Sequence, residues 1–312
     1  MADNVAKLKN NTSAVRPNEN LFIETLKRLL RNNSARAGLV ILGFLLFIFI
    51  FAPQLAPYEP NEILLDRPNG IIPRLPPCSA IFGCTDGPQF LMGLDGNGRD
   101  IYSRVLYGSR LSLPVGLAAV SISIFFGSVI GLVSGFYGAW VDNIIMRIMD
   151  VLMAFPSLLL AIAIVTVLGP GLINALIAIA IVAIPTYARL VRASVLSLKE
   201  QEFILAERAL GASNRRIMFT QILPNSLTPI VVQGTLGIGT AVLDAAALSF
   251  LGLGAQPPAA EWGRMLGDAI DFFRAAPHMA IFPGIAIMLT VLGFNLLGDG
   301  LRDALDPRLK KS

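Results

Sequence analysis

The chain has 312 residues, of which 54% are hydrophobic and only 15% charged, and its mean hydropathy is +0.65. Soluble domains carry about 25% charged residues, so a water-soluble particle is excluded and the chain reads as an integral membrane protein. Its net charge of +4 lies in short blocks between apolar runs, which points to membrane lipid and away from nucleic acid, while two cysteines and no Gly-X-Y repeat exclude disulfide-scaffold and collagen-like classes.

A membrane-spanning helix needs about 20 mostly apolar residues, so charge-free stretches give the elements in chain order. Residues 1–36 form a polar N-terminal segment in which Phe22, Leu26, Leu29 and Leu30 share a helical face opposite Lys27, Arg28 and Arg31, the pattern of a helix lying in the membrane surface. Residues 37–58 form the first span; with a long polar lead and no small-x-small cleavage site after it, it reads as an uncleaved anchor. An outer loop, 59–110, precedes a second span at 111–141 that ends near Gly138. The stretch between Asp150 and Arg189 is too long for one span and contains Gly169-Pro170-Gly171, so it predicts two helices joined by a tight turn. Pro156 and Pro185 fall inside those helices, where missing backbone hydrogen bonds permit bends. A fifth span runs from Leu227 to Leu251, interrupted only by Asp244, and a sixth lies between Arg274 and Asp299.

Six spans put both termini on one side, and the basic residues say which. Seven Lys and Arg precede the first span, Arg147 follows the second, six follow the fourth and four lie at the C-terminus. These eighteen, against seven in the outer loops, place the termini in the cytoplasm. Arg99, Arg104 and Arg110 crowd the outer end of the second span, where Asp95 and Asp100 offset them.

The chemistry of an enzyme is missing. No lysine follows a glycine, so no phosphate-binding Gly-Lys-Ser/Thr loop exists. The stretch Asp95 to Asp100 resembles the start of a calcium loop but has Asp100 at the sixth position and Leu106 at the twelfth, where glycine and glutamate belong. One histidine, His278, read as an interfacial residue, and two cysteines make no standard zinc site. No catalytic residue and no metal site are expected. Cys78 and Cys84 lie in the outer loop among Pro73, Pro76, Pro77 and Pro88; their compartment favours a disulfide over the alternative of two free thiols.

Four features carry function. Gly127, Gly131 and Gly135, at i, i+4 and i+8, form a small-residue face for close helix packing. Asp150 is one turn from Arg147, which predicts a local ion pair, whereas Asp244 has no basic neighbour on its helix and is expected to face a bundle interior, a polar partner or a water-filled path. Finally, the cytoplasmic run from Gln201 to Asn225 reads as a helix ending at Gly211 in a left-handed cap, with Ser213 or Asn214 capping the next helix. Phe203, Ala206 and Leu210 share one face of it, the pattern of a docking element for a soluble partner.

On these residues the chain resembles a known family. Ala206 to Gly211 followed by Ile222-Leu223-Pro224 is similar to the Glu-Ala-Ala loop of ABC-importer permeases. Gly98-Arg99-Asp100 with Ser103-Arg104, Tyr107-Gly108, Arg110 and Ser112-Leu113 resembles the segment before the second helix in the C-type permease of dipeptide/oligopeptide importers. So do Asp142 to Arg147, Phe250-Leu251-Gly252, Gln256-Pro257-Pro258, Glu261-Trp262-Gly263, and Asn295 to Arg308. One departure stands out: Leu205 occupies the family's glutamate position, with Glu207 at the third position of the triplet and Gly211 in register.

The resemblance implies an all-α membrane protein of six helices with the type I ABC importer permease fold. Its five-helix transmembrane domain would span 111–300, its coupling loop 197–225, and its cytoplasmic tail 301–312. It implies a permease subunit in a bacterial inner membrane, forming half of the path for di- and oligopeptides. Its partners would be a homologous second permease, two cytoplasmic ATPase subunits that bind ATP and Mg, and an extracytoplasmic binding protein. No cofactor is expected on this chain itself. Phe203, Ala206, Glu207, Leu210, Gly211 and Ala212 would couple to the ATPase, and Asp244, Ser249 and Asn295 would offer polar groups to the path. The alternatives are permeases for nickel or glutathione, an ion-coupled carrier using Asp150 or Asp244, and a membrane scaffold.

Overall fold

The computed structural model describes residues 29–65, 71–78 and 89–305. The main helices are α1 (Asn33–Leu55), α2 (Ile101–Tyr137), α3 (Ala139–Met153), α4 (Ser157–Leu168), α5 (Leu172–Leu198), α6 (Glu202–Ala209), α7 (Leu227–Phe250), α8 (Trp262–Ala269) and α9 (His278–Leu305). Between α6 and α7 the chain continues in short helical turns, with π-helical geometry over Ile217–Ile222. Extended pairing among the described residues is limited to isolated bridges, Cys78 with Phe90 and Leu94 with Asp100.

Helices α1, α2, α5, α7 and α9 are long and apolar enough to cross a membrane. The remaining expected span differs from its sequence reading, because α3 and α4 meet at a bend of 91°. Pro156 makes the break: it has no N–H to continue a helix, and it stands as the N-cap of α4 rather than inside a helix. With 12 residues, α4 is about 18 Å long at 1.5 Å per residue, short of a bilayer core of about 30 Å. Pro185, by contrast, is inside α5 as expected.

Helix ends follow capping chemistry more than charge. Asn32 starts α1 by accepting the Ser34 and Ala35 N–H groups, so α1 begins at Asn33 and takes Arg36 into its first turn. Asp100 starts α2 by accepting the Ser103 N–H at 2.8 Å, so the helix begins at Ile101 rather than 111 and holds Arg104 and Arg110. Burial pushes the Asp100 carboxyl up, against the opposing hydrogen bonds from Ser103. At the other chain end α9 runs past Asp299 to Leu305, into the stretch expected to be a tail. Of the expected N-terminal amphipathic face, Phe22 and Leu26 lie outside the described residues; Leu29 is buried against Ala35 and Ala304, and Leu30 is exposed.

The central packing joins α2, α5 and α7 around Ala119, Val120, Ile179, Tyr187, Ala241 and Leu248. Gly127, Gly131 and Gly135 of α2 pack against α5: a Cβ at Gly131 would come 2.3 Å from the Ala188 carbonyl oxygen, and one at Gly127 would be 2.6 Å from the Tyr187 Cβ. At the end where α2 starts, α8 is fastened across it. The Trp262 indole N–H donates to the Val105 carbonyl at 2.9 Å. Buried Glu261 accepts from the Ser112 hydroxyl at 3.0 Å and from the N–H groups of Gly263 and Arg264.

The same end explains the crowded arginines. Arg104 is 2% exposed, donates to the carbonyls of Pro60, Pro258 and Ala259, and lies 3.6 Å from Asp95. Asp95 thus offsets Arg104 and Arg99, whereas Asp100 is a helix cap. His278 is not interfacial but buried, its Nε2 3.3 Å from the Leu94 carbonyl oxygen.

Candidate functional site

Two sites stand out, one at each level of the bundle. The first is the segment from α6 to Asn225. Helix α6 is only eight residues long, too short to persist alone in water, and its attachment is Ile204. That side chain is fully buried among Leu132, Phe136, Val191, Val195, Ile217 and Ile222. Gly211 closes the helix at φ +81°: its N–H donates to the Arg208 carbonyl, and the Ala212 N–H donates to the Glu207 carbonyl. This is the paired C-terminal bonding that a left-handed residue permits. Ser213, rather than Asn214, caps the following turn, accepting the Arg216 N–H at 3.4 Å.

With Ile204 facing inward, the opposite face points out. Phe203 is 39% exposed and Leu210 85% exposed, and Ala206 and Gly211 are exposed with them. Leu205, in the position where the resembled family has glutamate, is also exposed. Glu207 accepts from the Gln221 side chain at 3.2 Å, which ties α6 to the turns after it, and Ala212 packs partly against the inner cluster. An anchored helix that presents an apolar face is a surface for another macromolecule. Ile204 was not singled out from the sequence; its signal is its position directly after Phe203, on the opposite face of a short helix.

The second site is a cavity of about 120 Å³ between α2, α5 and α7, lined by Ser123, Thr186, Tyr187, Gln233, Gly237, Thr240 and Asp244 among others. The structure does not gather the three expected path residues there. Asp244 lines the cavity, but Ser249 is fully buried with its hydroxyl accepting the Ala255 N–H at 3.1 Å, so it braces the turn after α7 instead. Asn295 is exposed on α9 and is not part of the lining. Gln233 and Thr240 were missed, although the spacing Gln233, Gly237, Thr240, Asp244 repeats at i, i+4, i+7 and i+11, one face of an otherwise apolar helix.

Ion pairs tie α3 to α5. Asp150 pairs with Arg189 at 2.5 Å rather than with Arg147: sequence neighbours on one helix lose here to a partner on the next. Asp142 receives two hydrogen bonds from Arg192, each 2.5 Å, and one from the Ser134 hydroxyl. Cys78 is buried and disulfide-bonded; Cys84, the other cysteine of the chain, lies outside the described residues.

Residues 127–311 match the family described as binding-protein-dependent transport system inner membrane component, and residues 20–77 match the N-terminal TM domain of oligopeptide transport permease C. The chain is 53% identical to the dipeptide transport system permease protein DppC of Alkalihalophilus pseudofirmus, over 92% of this chain and 90% of that protein. It is 48% identical to the di/tripeptide transport system permease protein DppC of Pseudomonas aeruginosa, over 90% of each chain. A glutathione transport system permease protein, GsiD of Pectobacterium atrosepticum, is 48% identical over 92% of this chain and 91% of its own. The chain therefore belongs to the binding-protein-dependent transport system permeases, in their oligopeptide permease C branch: a multi-pass inner-membrane subunit, and not an enzyme by itself.

Proposed function

We propose that this chain forms half of the translocation path of an ATP-driven importer of di- and oligopeptides. A homologous second permease supplies the other half, two cytoplasmic ATPase subunits bind ATP and Mg, and an extracytoplasmic binding protein delivers the substrate. Both termini lie in the cytoplasm, as the distribution of Lys and Arg favours. Helix α6 then faces the cytoplasm and is the contact for an ATPase subunit.

The observation that carries this reading is the construction of α6: Ile204 anchors it in the core beside α2 and α5, while Phe203, Ala206 and Leu210 project outward. A push on the outer face is transmitted to those helices through one buried side chain. Closure of the ATPase dimer moves α6, and α2 and α5 follow. With Leu205 in place of the usual acidic residue, the contact is apolar at that point, and Glu207 is held by Gln221 as an internal brace. Binding to the path is weak by design, because a permease must release what the binding protein selects.

The test is uptake of a labelled dipeptide by vesicles containing this chain, the second permease, the ATPases and the binding protein, with each component omitted in turn. Loss of uptake at every omission is expected; uptake by this chain without the ATPases would overturn the reading. The GsiD relatives support glutathione, itself a tripeptide, as a second substrate. Uptake of glutathione with rejection of simple dipeptides would favour it.

A further inference from the structure

The cavity between α2, α5 and α7 has polar groups that the fold itself does not use. Ser123 is committed, its hydroxyl bonded to the Ala119 and Ala180 carbonyls. Asp244 has no ion pair among the described residues, and no hydrogen bond there involves the side chains of Thr186, Gln233 or Thr240. Uncompensated polar groups in an apolar bundle are costly, and a threonine inside a helix ordinarily bonds the carbonyl four residues back. Thr235 on α7 does so to Val231; Thr186 and Thr240, which face the cavity, do not. Helix α7 keeps an acid, an amide and one hydroxyl available to the cavity, and α5 adds the Thr186 hydroxyl.

Their layout matches one end of a peptide. From Gln233 to Asp244 the α7 face climbs about 16 Å at 1.5 Å per residue, and an extended dipeptide is about 7 Å long. Gly237 leaves the middle of this face without a side chain, where a Cβ would come 2.2 Å from the Tyr187 hydroxyl. A carboxylate at one end of a polar face fixes direction: it attracts a cation and repels a carboxylate. A cavity of about 120 Å³ admits a terminus and its first peptide group rather than a whole substrate. We propose that this cavity holds the terminal ammonium of a short peptide, with Asp244 as its counter-charge and Thr186 and Thr240 meeting the adjoining peptide group. The assignment rests on the reading of the chain as a peptide-importer permease and adds to it the group recognised and the residues that recognise it.

The experiment uses the assembled transporter in vesicles, with ATP and saturating binding protein, and measures initial uptake of a dipeptide with a free amino terminus. Asp244→Asn keeps the shape and removes the charge, and Asp244→Glu keeps the charge. A hydrogen bond to a charged group contributes about 1.5–3 kcal/mol, so Asp244→Asn is expected to slow uptake at least about tenfold while Asp244→Glu stays within about threefold. Removing an unpaired charge does not destabilise the bundle, so the thermal unfolding of Asp244→Asn should match or exceed that of the parent. The same comparison with the des-amino peptide isolates the contact, because the binding protein is common to both permeases: the penalty of Asp244→Asn should vanish.

Three results overturn the proposal: wild-type uptake by Asp244→Asn, equal loss in the Asn and Glu variants, or an unchanged penalty with the des-amino peptide. If the binding protein delivers no des-amino peptide, the Asn and Glu pair decides alone. Failure of the unsubstituted transporter to import peptide on ATP would instead remove the underlying functional reading, and the site with it.

Discussion

Gly211 offers a perturbation whose effect comes from the backbone alone. Its φ of +81° closes α6, yet nothing lies within 4 Å of where a Cβ would stand, so a side chain there meets no obstacle inside the subunit. An L-residue in the left-handed region costs about 1–2 kcal/mol, and asparagine adopts it more readily than β-branched residues. Gly211→Val therefore lowers the population of the capped conformation by a factor of about 5–30, whereas Gly211→Asn largely keeps it. Since the Ala212 N–H bond to Glu207 depends on that cap, valine frees the end of α6 that carries Leu210. In vesicles, the ATP hydrolysed per peptide imported should rise severalfold for Gly211→Val and stay near the parent value for Gly211→Asn. Normal coupling in the valine variant would refute the reasoning. Equal uncoupling by the asparagine variant, which is comparably bulky, would move the cause from backbone conformation to steric conflict with the partner.

Gly131→Ala places a methyl 2.3 Å from the Ala188 carbonyl and should destabilise the bundle by about 1–3 kcal/mol through overpacking; Gly43→Ala, with nothing within 4 Å, should leave the unfolding temperature in detergent unchanged. Glu261→Ala strands the Ser112 hydroxyl and the Gly263 N–H, both of which bond Oε1, at about 1–3 kcal/mol per buried orphan; a thermal melt reads the loss, and Glu261→Gln should recover part of it. Arg192→Ala should lower that temperature more than Arg189→Ala, because Arg192 makes two bonds to a nearly buried Asp142, while the Arg189 pair with Asp150 is half exposed on both sides.

Most of the span inventory was legible in the sequence because lipid imposes a simple rule: apolar length. The bounds of α7 and the start of α5 after Gly171 follow from it directly, whereas α5 continues past Arg189 to Leu198. The exceptions trace to interactions that charge counting cannot see. Arg104 sits inside α2 because three carbonyls and Asp95 receive it. The α3–α4 bend at Pro156 was not legible because a proline at the start of a short apolar helix gives the same sequence pattern as a proline within a long one. Asp150 was assigned to Arg147 on spacing alone, whereas the partner, Arg189, arrives from the following helix.

At the candidate sites the same division holds. The exposed face of α6 and its glycine cap are local properties, so Phe203, Leu210 and Gly211 were readable in advance. The burial of Ile204 depends on residues from α2, α5 and the turns after α6. Asp244 declared itself as a charge in an apolar helix, but Ser249 and Asn295 were grouped with it only by polarity. The fold sends one hydroxyl into a turn and leaves the amide on another face.

The central claim is that ATP hydrolysis on partner subunits, transmitted through α6, drives peptide through this chain. Its most direct test is the driving force: initial peptide uptake by the assembled transporter in sealed vesicles, with ATP supplied and the proton gradient collapsed by a protonophore. Uptake that requires ATP and is unchanged by the protonophore is expected. Uptake that persists without ATP and disappears with the gradient would contradict it and make Asp244 a proton site instead.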